Sequence, residues 1–408
     1  MASSRTIVIV GAGIGGLTAA VALARKGFRI SLIDQAERLE ETGAGIQLTP
    51  NATRILIELG LGQRLKQLVV VPTALRIIRA RSGEDIVRVP LGHSAEVRYG
   101  TPYWVVHRAD LQATLLDAVA GHPDIALSLG TRIVDCTAHP NGVTVAGLNA
   151  RGNFDGRGIA VVGADGLWST VRERLGDKNK PRLAGRTAWR AVVPSDAVAP
   201  EWREPFVNLW LGRRGHLVHY PVRGGRAINI VAIADDDWSA PGWSAPDERE
   251  EVLRRFGERA WAAPARELLA TPERWLKWAL ADRTPIRQWG RGPATLLGDA
   301  AHPMLPFLAQ GAAMAIEDAA VLADCMAKRP GDPATAMRAY ERQRRRRTRA
   351  AQCQSRANGR VYQYGGPAEF VRNLALAALG GKRLLRRYDW IYAFMVGGRP
   401  DTKRRLAG

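Results

Sequence analysis

Cysteine is nearly absent. Three residues in 408, Cys136, Cys325 and Cys353, form no CxxC pair and show no metal-ligand spacing. That excludes a disulfide-stapled scaffold, structural zinc and dithiol redox chemistry, and it suits a reducing, cytoplasmic compartment. Histidine is scarce as well. Its seven copies include no HxxxH or HxH pair with carboxylates nearby, so no metal is expected. Acids fall short of bases, 39 against 59. The shortfall is local: from Arg338 onward 18 Lys and Arg face 4 Asp and Glu, which places 14 of the net +20 in the last 71 residues. Such a charge describes that segment and need not describe the site of chemistry. A bilayer-spanning run of about 20 apolar residues is missing too. The nearest stretch, Ile7 to Ala24, holds four glycines, has a single Arg in front and no cleavage-site pattern behind it. It reads better as a buried strand turning into a helix. What remains is 46% hydrophobic, with 42 Gly and 23 Pro dispersed. That excludes a disordered chain and a collagen repeat, and the length implies two or three domains with ample core.

The first sixty residues carry a chemical signal. Thr6 to Val10 is a β-branched run suited to a strand buried on both faces. It runs into Gly11-Ala12-Gly13-Ile14-Gly15-Gly16, a G-x-G-x-x-G turn, then a helical stretch to Lys26 with Gly27 as its stop. Arg29 to Ile33 reads as a second strand and delivers Asp34, 18 residues after Gly16. Each part has a task in holding a dinucleotide. Gly11 makes the tight turn, Gly13 admits a pyrophosphate, and Gly16 packs helix on strand. The helix start offers unpaired N–H groups to phosphates, and Asp34 can accept from a ribose diol. The turn alone does not decide between FAD and NAD. No second such turn follows a strand downstream, which suits one tightly held dinucleotide with transient access for another.

Three further segments sharpen the reading: Gly43 to Ala52 (GAGIQLTPNA), Val161 to Ser169 (VVGADGLWS), and Leu296 to Pro303 (LLGDAAHP) leading to Gln310-Gly311-Ala312. With the opening turn, they resemble the single-component FAD-dependent aromatic hydroxylases of the p-hydroxybenzoate hydroxylase type. The resemblance is closest to the salicylate hydroxylase and 3-hydroxybenzoate 6-hydroxylase branch and runs nearly end to end. It implies an α/β chain: a Rossmann-like FAD-binding domain interleaved with an antiparallel β-sheet substrate domain, plus C-terminal helices. The expected divisions are 1–180 for FAD binding (with inserted substrate-side strands at about 70–105), 181–283 for the substrate sheet, 284–345 for the second FAD part, and 346–408 for a basic helical segment. It further implies tightly held FAD, NADH or NADPH as transient co-substrate, and hydroxylation of a hydroxylated aromatic acid by dioxygen through a flavin hydroperoxide. Cofactor contacts are expected from Gly11, Gly13, Ile14, Gly15, Gly16, Asp34, Ala44, Gly45, Arg108, Asp165, Asp299, Gly311 and Ala312. The family more often has Glu where this chain has Asp34.

Several of these residues have a reading of their own. Asp299 follows a short apolar strand, Ala294 to Leu297, so it stands at a strand's carboxyl end where α/β ligands bind. The alternative is a helix cap. Gly311 opens a helix whose N–H groups can face flavin carbonyls. Arg108 is otherwise a solvated helix end, and Asp165 otherwise a turn residue. Within His216-Leu217-Val218-His219-Tyr220, strand alternation puts His216, Val218 and Tyr220 on one face. The family's hydroxylases use a His and a Tyr four apart here, so His216 and Tyr220 are catalytic candidates, with ordinary sheet residues as the alternative. A His within reach of a phenol, whose pKa is near ~10, can take its proton. Arg190 is expected to hold a substrate carboxylate or face the flavin, and Gln310 to lie beside the substrate hydroxyl. His219 and His302 are expected to be structural.

The run Arg342 to Arg349 resembles nucleic-acid bait. No aromatics interleave with it and no nucleic-acid motif accompanies it, so no nucleic acid is expected as partner. A solvated face of a helix continuing from Pro333, partly paired with acids elsewhere, explains it, with attraction of anionic reductant and substrate as the functional alternative. Leu384 to Met395 is expected to dock as a C-terminal cap, without stable membrane insertion. The chain is expected to be a monomer or homodimer. Rival readings are a hydroxylase of a heterocycle or quinone-type ring (urate, hydroxynicotinate, phenazine or a ubiquinone precursor) and a basic nucleic-acid or membrane-surface binding protein. Flavin halogenases are excluded by the missing W-x-W-x-I-P signature, and disulfide reductases by the missing cysteine pair.

Overall fold

In a computed structural model the described residues are 5–39, 44–139, 142–238, 242 and 244–398; Gly43 of the second motif and residues 399–408 of the basic segment lie outside them. Five short strands form one parallel sheet, in the order Ala294–Leu296, Ala160–Gly163, Thr6–Val10, Arg29–Ile33 and Ile125–Ser128. The β-branched run Thr6–Val10 lies in its centre, where helices cover both faces and only apolar side chains fit. Helix Ile14–Ala24 packs on helix Gly311–Lys328. Both begin after strands of this sheet, so both present their N-terminal ends at its carboxyl edge.

The second layer is an eight-stranded sheet. Its order is Ser244–Glu248, Arg274–Asp282, Arg182–Pro194, Ala227–Asp235, Gly215–Val222, Phe206–Gly212, Ala74–Arg79 and Asp85–Pro90. It is antiparallel except at one seam. Phe206–Gly212 pairs parallel with Ala74–Arg79, which corrects the purely antiparallel expectation. The reason is connectivity: those two strands are joined by a long excursion through the parallel sheet, and a long crossover permits parallel pairing where a hairpin does not. One face of the sheet is closed by helices Arg249–Arg255 and Ala263–Ala270 over a core containing Trp189, Trp210, Trp261 and Trp275. The other face looks toward the parallel sheet.

Helix Pro333–Tyr362 starts on a proline behind Asp332, whose side chain accepts from the Thr335 N–H at 3.0 Å. It carries the arginine run, whose expected pairing with acids elsewhere takes two of its members off the solvated face and into the interior. Arg344 is fully buried, bonded to Asp318 at 2.6 Å and Glu317 at 2.5 Å, and Arg347 reaches Glu317 at 2.7 Å. Helical spacing turns 344 and 347 inward together and leaves their neighbours outside.

Candidate active site

Three of the four glycines of the first turn each face a different close neighbour. Gly11 has φ +105°, and a Cβ there would lie 2.4 Å from the Ala164 carbonyl oxygen. At Gly16 a Cβ would lie 1.8 Å from the Gly11 oxygen, and at Gly15 2.8 Å from the Leu297 side chain. Gly13 differs from all three: a Cβ there meets nothing within 4 Å. Gly13 is also the N-cap of helix Ile14–Ala24 and offers no side-chain cap, so the first N–H groups face open space. Asp34 stands beside that opening. Its carboxylate accepts from the Ala12 N–H at 2.6 Å and the Ala36 N–H at 2.9 Å, which fixes its direction and leaves lone pairs for a ribose.

Asp299 follows the edge strand Ala294–Leu296 in a single 3-10 turn, Gly298–Ala300. Its side chain is exposed, yet burial still pushes its carboxyl above the usual range, with His302 and Arg108 opposing. A group both reachable and desolvated stands in a cleft. Arg108, opposite, opens helix Arg108–Ala120; burial pushes its guanidinium down and Asp299 pulls it back. Gly311 packs near the Asp299 carboxylate, and its helix likewise begins without a side-chain cap. Gly311 and Ala312 are both half-buried there. An open glycine turn, two uncapped helix starts and the pair Asp299 and Arg108 could hold FAD, with its phosphates at the first helix start, ribityl hydroxyls at Asp299 and ring carbonyls at the second.

Three expected contacts are placed differently. The Asp165 carboxylate accepts from the Ser169 hydroxyl and from the Val171 N–H at 3.0 Å, so it caps helix Thr170–Arg174 in the manner of a turn residue. Burial raises its carboxyl against those bonds. Gly45 spends its N–H on Asn229 at 2.6 Å, and a Cβ there would strike Tyr220, so it lies against the roof. The buried Ala44 accepts from the Arg108 N–H at 2.8 Å.

Strand register builds the roof. Arg190, Val231 and Val218 lie side by side across three strands, with Ala188, Ile233 and His216 two residues to one side and Val192, Asn229 and Tyr220 two to the other. On this face Arg190, Val192, Val218 and Val231 stay half-exposed while their neighbours are buried. That is the opening. Arg190 has no acidic partner among the described residues and lies 5.1 Å over the Trp278 ring. Burial, then Arg108, push its guanidinium down to about 10, against Tyr220, so it stays charged at neutral pH. The Tyr220 hydroxyl stands beside Gln47, which accepts from Tyr103 at 2.6 Å. Burial raises the Tyr220 hydroxyl against Arg190 and Gln47.

His216 lies at the far end of the same face, 5.4 Å from the rings of both Phe307 and Tyr362. Burial, then Arg186, push its imidazole down to about 3, so it is neutral and suited to accepting a hydrogen bond. Gln310 does not reach the opening with a free amide. Its Nε2 donates to Thr49 at 2.9 Å and its Oε1 accepts from Asn51 at 3.3 Å, inside a buried network that continues to Glu317. His219 accepts from the Trp210 ring N–H at 3.1 Å behind the sheet, and His302 is held by Asp318 at 2.5 Å.

Sequence reasoning missed the residues that hold these parts still. Arg172, 1% exposed, donates to the Ala300 and Ala301 carbonyls at 3.0 and 3.2 Å and so props the Asp299 loop. Asp318 accepts from the Gly298 N–H, His302 and Arg344, tying the loop to the arginine-rich helix. Burial alone would raise the Asp318 carboxyl; His302 and Arg344 outweigh it and hold it below the usual range. A signal existed. Glu317 and Asp318 are the acidic pair inside an otherwise apolar helical stretch, and Asn229 is the lone polar residue in AINIVAIA.

Residues 4–355 match the family model described as FAD binding domain. The chain is 37% identical over 396 residues to the 3-hydroxybenzoate 6-hydroxylase of Klebsiella oxytoca, covering 97% of this chain and 98% of that one. Among solved structures, a salicylate hydroxylase substrate complex superposes with TM-score 0.82 at 26% identity, covering 97% of each chain. The Klebsiella pneumoniae protein HpxO, complexed with FAD and uric acid, superposes with TM-score 0.83 at 26% identity, covering 94% of this chain and 95% of that one. With its glycine turn, Asp299 cleft and half-open roof, this chain belongs to the FAD binding domain family as an FAD-dependent monooxygenase of the aromatic hydroxylase type.

Proposed function

We propose that the protein hydroxylates a small aromatic acid already bearing a hydroxyl, of the hydroxybenzoate or salicylate type, using NADH or NADPH and dioxygen. The observation that carries this reading is Arg190: a charged guanidinium on the half-open face of the roof, between valines, without an acidic partner among the described residues. A buried cation in such a place favours a ligand carboxylate, and the planar guanidinium can hold it through two parallel bonds. Val218 and Val231 supply the apolar walls for a ring. Bound FAD, once reduced, supplies the oxygen-activating chemistry.

The chain's residues orient the ring and keep water from it. Tyr220, whose hydroxyl is kept protonated by burial, donates a hydrogen bond toward the substrate or the ring edge above Gly45. His216, held neutral, accepts one from a substrate hydroxyl and favours its phenolate character. Gln310 acts one step removed, by holding Thr49 and Asn51 under the second helix start.

The test uses purified yellow protein with 3-hydroxybenzoate, salicylate, 6-hydroxynicotinate and urate, measuring NADH and NADPH oxidation, product and peroxide. Coupled product from one of the two benzoates is the expected result, and Arg190→Gln should raise KM for it at least about tenfold. Coupled turnover of urate alone moves the substrate to the heterocycle class. Peroxide alone with all four removes the pocket assignment.

A further inference from the structure

The arginine run of helix Pro333–Tyr362 is only half explained by Glu317 and Asp318. Arg344 and Arg347 turn inward to those acids. Arg345, Arg346 and Arg349 turn the other way, where 345 and 349 share a face and 346 stands beside them. Arg287, in the segment that follows the roof, joins them, and the four arginines line a cavity of about 180 Å³. No acid lines it, and among the described residues none of the four pairs with a carboxylate. Arg345 is half-buried, and Arg287, Arg346 and Arg349 stand exposed around it.

The floor is built rather than open. Trp289 is 2% exposed and His302 1%, with their rings 5.2 Å apart, and Thr348 and Gln352 are buried beside them. The His302 Nε2 is taken by Asp318, while its buried Nδ1 has no partner. Arg345 is steadied by the Arg287 carbonyl oxygen, which fixes one wall to the other. Several like charges converging on a walled recess raise the local potential and favour an anion with several acceptor oxygens. The volume is below the roughly 300–1,000 Å³ of sites that enclose a whole organic ligand, so the recess suits a terminal group and leaves the rest outside.

We propose that this recess is a second binding site, separate from the FAD cleft, for the phosphate group of an anionic ligand. The two sites share one loop. Asp299 faces the cleft, and Ala301 and His302, two and three residues later, form part of the recess floor. A phosphate held there rests against the segment that Asp318 ties to the Gly298 N–H. Two sources can present that chemistry: a phosphate of the nicotinamide dinucleotide, which rests on the function proposed above, or a phosphate ion or nucleotide that takes no part in the reaction.

The site is tested on the FAD-loaded protein by calorimetric titration with inorganic pyrophosphate at constant ionic strength, in parallel with Trp fluorescence. This readout needs no substrate and no turnover, so it stands or falls apart from the proposed function. Wild type is expected to bind. Arg346→Gln/Arg349→Gln, with flavin content unchanged as the folding control, is expected to bind at least about tenfold more weakly. Competition of pyrophosphate with NADH or NADPH, together with a raised KM for the reductant in the double variant, assigns the site to the dinucleotide. Binding without competition assigns it to a separate phosphate. No binding by wild type, or equal binding by the double variant, overturns the proposal.

Discussion

The cofactor cleft and the roof hold their polar groups in different ways. In the cleft, direction comes from the main chain: Asp34 is aimed by two N–H groups, Asp165 by the start of a short helix, and Gly11 and Gly16 by backbone passing within van der Waals distance. In the roof, Arg190, Tyr220 and His216 are aimed by strand register across three neighbouring strands. Register places a side chain without using its hydrogen bonds, so the roof keeps spare polarity: among the described residues Arg190 has no acid and the His216 Nδ1 no partner. A scaffold aimed by its own backbone suits a ligand that stays, and one aimed by register alone suits a ligand that comes and goes.

The sharpest way to break that comparison lies at the turn. Gly16→Ala drives a methyl group to 1.8 Å from a carbonyl oxygen, so the strand–turn–helix unit must distort. The expected outcome is protein that is poorly soluble or emerges colourless from purification. Gly13→Ala meets no protein atom, so it should fold with a near-normal thermal midpoint and lose flavin alone. If both variants keep stoichiometric flavin absorbance, the open space at Gly13 is not the cofactor's.

The next effect concerns the clamp between helix Gly311–Lys328 and helix Pro333–Tyr362. Arg344→Met takes a buried cation from Glu317 and Asp318, leaving only Arg347 on the one and His302 on the other, and breaking such a network costs about 3–5 kcal/mol. Arg342→Met, on the exposed side of the same helix, should stay within about 0.5 kcal/mol. Denaturant midpoints of the two variants read the difference directly. Equal midpoints would mean that the acids rearrange onto Arg347 and that Arg344 clamps nothing.

These contrasts also explain what a sequence can announce. Gly11, Gly16 and Asp34 are readable because part of their constraint is local: Gly11 holds φ +105°, Gly16 packs on Gly11, and Asp34, at the end of the next strand, accepts from Ala12. The second strand, the helix from Gly311 and the long helix from Pro333 followed from periodicity and proline placement. Asp299 and Arg108 were found by resemblance, and their facing arrangement belongs to the tertiary fold. The fate of the Gln310 amide was unreadable because Thr49 and Asn51 lie about 260 positions away in sequence. The division of the arginine run into inward and outward members needed the helix phase relative to Glu317. The parallel seam at Phe206–Gly212 needed the path of a long crossover.

Tyr220 sharpens the comparison within the roof. Tyr220→Phe keeps the ring that packs on Gly45 and removes only the hydroxyl beside Gln47 and Arg190. A buried hydrogen bond lost from one side costs about 1–3 kcal/mol, so kcat/KM for the aromatic acid should fall about ten- to hundredfold with flavin retained. Loss of flavin instead of rate would move Tyr220 from the substrate side to the cofactor side.

The smallest effect separates the two faces of one strand. His219 points away from the opening, buried behind Trp202 and Trp210, and its Nε2 accepts the Trp210 N–H at 3.1 Å, which only the neutral ring can do. Burial, then Arg76, push it down to about 3, well below the about 6.5 of an unfolded histidine. A group lowered on folding leaves its contribution intact above its unfolded pKa and withdraws it as pH falls, because the unfolded chain takes up the proton first. The loss begins near pH 6.5 and approaches about 1.4 kcal/mol for each further pH unit. His219→Gln keeps an acceptor for Trp210 and has no proton to gain, so its thermal midpoint should fall less than wild type's between pH 6.5 and 4.5. His216→Gln should flatten the same acid limb, since its ring is lowered as far, but it should also slow hydroxylation. A stability effect shared by both histidines and a rate effect confined to His216 is the pattern expected if one strand face is core and the other is site. Equal rate losses from the two variants would dissolve that division.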